Sequence, residues 1–171
     1  GFEAGGHNGR EETTTLALIP AVAQAIDLPL VAAGGIASGR SILAAQSLGA
    51  EGVQIGTLFA LSEESSAHAA FKEACVKSDE GDTILTLKEL APTRLLKNEF
   101  YQQVATLQAR GASADELREL LGRARAKRGI FEGDLDEGEL EIGQVAAQIE
   151  EVQPVAQIFD QLIAEYNAAR A

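Results

Sequence analysis

The sequence predicts an α/β fold built on a short parallel sheet, and three observations carry that expectation. Two apolar runs, LPLVAA (28–33) and GVQI (52–55), each end at once in a glycine turn, Gly34-Gly35 and Gly56-Thr57. Between them, Ser38–Leu48 reads as a helix, with Ser38 as its cap and Gly49 as its stop. Strand, glycine turn, helix, strand, glycine turn is the alternation of βαβ units. Neither run alternates with polar residues, which suits strands buried on both faces.

The remaining elements follow in chain order. Residues 1–12 (GFEAGGHNGREE) are glycine-rich without periodicity and read as a loop. Leu16, Ile19, Val22, Ala23 and Ile26 recur at helical spacing, so Thr13–Asp27 reads as a helix, although Pro20 could shift its start to near Ile19. Pro29 fits the first residues of a strand, where no ladder donor is required. Beyond Leu58, Ser66–Lys77, Glu99–Gly111 and Ser113–Arg128 read as helices, and Asp82–Leu87 as a short strand or extended segment. Ile130–Glu141 is acidic with two glycines and reads as a solvated loop. Gly143–Glu150 and Pro154–Ala169 read as closing helices. The chain thus divides into the strand-bearing residues 1–62 and a mostly helical appendage, 63–171, packed on them.

Composition narrows the function. The chain has 171 residues, 46% hydrophobic and 23% charged, the mixture of a folded globular protein. A net charge of −12 repels phosphate backbones and anionic lipid, which argues against nucleic acid or a membrane surface as partner. Leu16–Ile26 is too short to span a bilayer and no signal-peptide pattern is present, so a cytoplasmic protein is expected. A lone cysteine, Cys75, makes neither an internal disulfide nor a thiolate metal cluster and reads as a packed thiol; no metal is expected. Lys97 and Arg94 read as solvated charges.

Two features suggest chemistry. Each glycine turn lies past the C-terminal end of a predicted parallel strand, where α/β proteins bind ligands. Glycine lets the backbone approach an anion, a following helix N-terminus adds a positive dipole end, and Thr57 adds a hydroxyl. Two such turns in successive units suit one phosphate held between them. The second feature is EAGGHNG (3–9), a flexible loop carrying His7, one of only two histidines. An imidazole so placed serves as a base or hydrogen-bond partner, or is simply a surface residue. His68 lies in a helical, alanine-rich context and reads as structural.

These motifs, EAGGHNG, LPLVAAGGIASG and LGAEGVQIGTLF in that order, resemble the C-terminal half of the nitronate monooxygenase family, which includes FMN-dependent enoyl-acyl-carrier-protein reductases. EESSAHAAFKE, DTILT and RLLKN resemble it as well. The resemblance implies the C-terminal portion of a TIM-like barrel with an appended helical segment and FMN at the strand ends. The loop EAGGH, AAGGI and QxGT would follow strands six, seven and eight. The earlier strands would then come from a second chain or a cleaved fragment, and a homo-oligomer is possible.

Carried over by position, Gly34, Gly35, Gly56 and Thr57 match the family's phosphate turns, and Gln54 and Ile55 line the same stretch. Gly5 and Gly6 match the loop beside the flavin, and His7 matches the active-site histidine. Asn8 and Leu58 stand where arginine is common, leaving the substrate open. The implied reaction on a small-molecule substrate is oxidation of an alkyl nitronate by O₂ to a carbonyl compound and nitrite. The alternatives are NAD(P)H-linked reduction of a 2-enoyl thioester and, in a different class, a non-catalytic fragment or interaction module.

Overall fold

A computed structural model describes residues 1–171. The two predicted strands form β2 (Val31–Ala33) and β3 (Gly52–Gln54), paired in parallel with Ala32 opposite Val53. The helix between them is α2 (Gly39–Ser47), started by a capping box in which Ser38 and Ser41 satisfy one another's backbone amides. Helix α1 (Thr15–Ala25) precedes β2 and runs straight through Pro20. The cap that starts it comes from a distant residue: the Glu3 carboxylate accepts from the Thr15 amide at 3.0 and 3.2 Å. Ile19, Ala32, Ile36, Ala45 and Ala50 bury together between these elements.

Burial of β2 on both faces is not observed. Ala32 is fully buried but Val31 is 59% exposed, with Leu16 and Leu28 also exposed nearby in sequence. Two strands covered on one side leave the other apolar face open. The chain contains no closed barrel.

The C-terminal part holds more sheet than its sequence predicts. Strands β4 (Thr83–Thr86) and β5 (Thr93–Leu96) form an antiparallel hairpin, and β5 also pairs with β1 (Gly6–His7), two residues inside the glycine loop. Helices α3 (Thr57–Ala60) and α4 (Ala69–Val76) precede the hairpin, and α5 (Glu99–Ala109) follows it. The predicted helix Ser113–Arg128 is two helices, α6 (Ala114–Leu121) and α7 (Arg125–Glu132), separated where Gly122 and Ala124 both take positive φ. The predicted Gly143–Glu150 helix is a short 3-10 turn, Gln144–Gln148, and α8 (Val155–Arg170) closes the chain against α2. No helix is long and apolar enough to cross a membrane.

Several side chains brace this arrangement. His68 caps α4, its Nδ1 accepting from the Ala70 amide at 3.1 Å, in keeping with a structural role. Buried Lys72 donates to the carbonyls of Ser62, Glu63 and Ser65 at 2.6, 3.2 and 2.8 Å, closing the turn after α3. Arg94 is no solvated charge. It is 2% exposed, donates from Nε to the Phe2 carbonyl at 3.0 Å, and lies over the Phe2 ring. Its strand is central in the three-stranded sheet, between β1 and β4, and the side chain ties the hairpin to the glycine loop.

Candidate active site at the strand ends

The two glycine turns meet. Gly34 and Gly35, after β2, and Gly56 and Thr57, after β3, line one open cleft of about 280 Å³ together with Gln54, Gly5 and Gly6. Parallel pairing of β2 with β3 brings their C-terminal ends side by side, so both turns open in the same direction. Gly34 and Gly35 have φ of +99° and +69°, values that favour glycine. The amides of Gly35, Ile36 and Gly56 donate to no acceptor of the chain. Thr57 Oγ1 accepts from the Gly143 amide at 3.0 Å, which leaves its own hydrogen free to donate. These groups fit an anion such as a phosphate, which needs convergent donors and no side chain in the way.

Not every expected contributor is there. The N-terminus of α2 is already satisfied by its capping box and by the Glu165 carboxylate, which accepts from the Gly39 amide at 2.8 Å. Ile55 packs against the α1–α2 core and does not line the cleft. His7 is exposed on β1 and borders a shallow depression with Gly1, Phe2 and Asn8, next to the cleft but outside it.

The cleft's remaining wall comes from the segment read as a solvated acidic loop. That segment is tied down. Asn98 Nδ2 donates to the carbonyls of Leu135 and Gly138, each at 2.8 Å, and Arg125 Nη1 donates to the Glu137 carbonyl at 2.7 Å. Beyond Gly138 the chain is extended, bridging to β5 through Leu95 and Glu141. Leu140 and Ile142 enter the main core, while Glu139 and Glu141 lie on the other side, toward His7. Glu141, Ile142 and Val145 line the cleft, and a Cβ on Gly6 would come within 2.5 Å of Glu141 Oε2. Sequence reasoning missed both glutamates. The available signal was the period-two alternation Glu139-Leu140-Glu141-Ile142.

Burial pushes the Glu139 carboxyl up to about 7, helped by the neighbouring Glu141 and opposed by His7 and Arg125. Burial raises Glu141 too, again opposed by His7. A carboxyl whose acidity is weakened on folding is bound by its proton more tightly in the native state. The contribution of Glu139 to stability is therefore greatest below the unfolded value, 4.5, and falls as pH rises toward about 7. Glu139→Gln should flatten that decline and raise the alkaline melting temperature. An unchanged pH profile in thermal denaturation would contradict the assignment.

The geometry defines a class: an α/β protein with a glycine-lined cleft, bearing free backbone amides, at the ends of adjacent parallel strands. The Nitronate monooxygenase family model matches residues 1–165, and the chain belongs to that family. A probable nitronate monooxygenase of Staphylococcus haemolyticus is 45% identical over 112 residues, covering 60% of this chain and 31% of the relative. FabK of Thermotoga maritima matches at a TM-score of 0.92 and 38% identity, covering 99% of this chain and 53% of that one. A nitroalkane oxidase of Streptomyces ansochromogenes matches at 0.76 and 32%, covering 98% and 50%. The chain therefore spans about a third of that curated relative and about half of these solved structures.

Proposed function

We propose that this chain is the phosphate-gripping part of an FMN-dependent oxidoreductase that oxidises alkyl nitronates with O₂ to carbonyl compounds and nitrite. The observation that supports it is the shared cleft, in which glycine turns from neighbouring parallel strands present unpaired amides. Bound FMN supplies the electron-transfer chemistry, and the protein binds, orients and shields. Gly34, Gly35, Ile36, Gly56 and Thr57 hold the phosphate through backbone amides and the Thr57 hydroxyl. Gly5 and Gly6 pass beside the flavin, and His7 acts as base or hydrogen-bond partner to the substrate. The length by which the relatives exceed this chain supplies the rest of the pocket.

One observation favours a second reading, reduction of a neutral 2-enoyl thioester. Where the cleft passes the Gly5-Gly6 loop, its wall carries the Glu141 carboxylate and no lysine or arginine, which disfavours an anionic substrate at that end. Nitrite release without NAD(P)H selects the first reaction, and NAD(P)H consumption only with an enoyl thioester selects the second.

Gly56 offers a clean test of the cradle. Its φ is −93° and a Cβ there would meet nothing within 4 Å, so the fold tolerates a side chain. That side chain would, however, occupy the cleft. In the full-length enzyme, Gly56→Val should weaken FMN binding by about tenfold or more while leaving the circular dichroism spectrum unchanged. Wild-type flavin retention would refute the phosphate assignment.

A further inference from the structure

Buried Glu139 and half-buried Glu141 stand out because neither carboxylate makes a hydrogen bond or ion pair within the chain. Lys72, Arg94 and Thr57 are all hydrogen-bonded, and each of the chain's ion pairs involves other residues. Glu139 is 6% exposed, and its amide is held by the Arg125 carbonyl at 3.1 Å. Its carboxylate accepts no hydrogen bond from the chain. Glu141 lies next but one along the same extended segment, with its carboxylate over Gly6 in the wall of the cleft. The backbone there is fixed on both sides, by the Leu96 amide donating to Leu140 O at 2.8 Å and by the Leu95–Glu141 bridge. The backbone carrying both carboxyls is thereby pinned to the sheet edge.

The charged groups that face this pair are few. Glu139 sees Glu141, His7 and Arg125, and Glu141 sees His7. Arg125 is committed to the Glu137 carboxylate and to backbone carbonyls. The other carboxylate in the cleft, Glu3, caps α1 through Thr15. Glu141 is thus the cleft carboxyl with no structural commitment, and its charge depends on whether the pair holds a proton.

We propose that Glu141, backed by Glu139, is a specificity-determining residue where this cleft passes the Gly5-Gly6 loop, rather than at the phosphate turns: a protonated pair admits an anionic nitronate there, and an ionised pair repels it in favour of a neutral thioester. This rests on the flavin-oxidoreductase reading above and deepens it. Repulsion between like charges at short range across a partly dry cleft is large enough to change binding by an order of magnitude. A neutral carbonyl meets no such penalty.

The test uses the full-length, flavin-loaded enzyme, with flavin retention measured first; loss of flavin there would count against the underlying reading, not this one. Carboxyl ¹³C NMR of Glu139, which needs no flavin, should show a midpoint near about 7 that falls in Glu141→Gln. The KM for propyl-1-nitronate should rise about tenfold as the pair ionises, with kcat changing little. Glu141→Gln should flatten that rise, and the KM for a crotonyl thioester should stay level in both proteins. If the nitronate is not turned over, its inhibition constant against thioester reduction carries the same reading. Glu139→Gln serves as the second variant should Glu141→Gln fail to fold, and should reduce the rise. A nitronate KM or inhibition constant independent of pH, an equal rise in the variants, or a Glu139 midpoint in the ordinary carboxylate range would each overturn the proposal.

Discussion

Replacing Arg94 by methionine should lower the folding stability by about 3 kcal/mol, the cost of removing a buried cationic donor and leaving its acceptors bare. The guanidinium donates to the Phe2 carbonyl and to Thr83 Oγ1 at 3.0 and 3.3 Å and covers the Phe2 ring. Burial lowers its pKa, with Glu3 and Glu12 opposing, which marks it as a charge the fold has taken out of water. The loss should reach beyond stability. The glycine loop is anchored to the hairpin through this side chain and the short β1–β5 pairing, so its release should also loosen Gly5, Gly6 and His7. Arg94→Lys keeps the charge but not the planar fork and should recover little. Urea denaturation checks the prediction, and a variant within about 0.5 kcal/mol of wild type would contradict it.

Gly39→Val should be at least as damaging. A Cβ on Gly39 would sit 2.2 Å from the Tyr166 amide nitrogen and 2.4 Å from the Leu162 carbonyl oxygen. Both are backbone atoms of α8 and cannot turn aside, so the helices must separate. Overpacking of this kind costs about 1–3 kcal/mol in ordinary cores and more where backbone is struck. Separation also breaks the bond from the Gly39 amide to Glu165. Gly39→Ala should fall between wild type and Gly39→Val in melting temperature. Equal stability of all three would show that the α2–α8 contact does not form as described.

The βαβ core was legible because its signals are local. Ser38 caps, Gly49 stops, and Gly34 needs a positive φ, and each of these facts is carried by one or two adjacent residues. The cleft was legible for the same reason, since turns after adjacent parallel strands necessarily lie together. What was not legible depends on contacts between distant segments. Thr93–Leu96 carries no alternation to mark a strand, and Arg94 looks like any surface charge until two strands flank it. The cap of α1 comes from Glu3, far away in sequence. Composition made 130–141 look solvated, because a run of acids does not say which of them turns inward. The short-period pattern at Glu139–Ile142 did say so, but over too few residues to outweigh the glycines around it.

Cys75 has a use of its own. As the chain's sole thiol, fully buried and pushed up to about 12 by that burial, it is closed to alkylating reagents while the main core is intact. Its modification rate therefore times the opening of that core. A reporter cysteine engineered at any exposed position would, in turn, be labelled against almost no background.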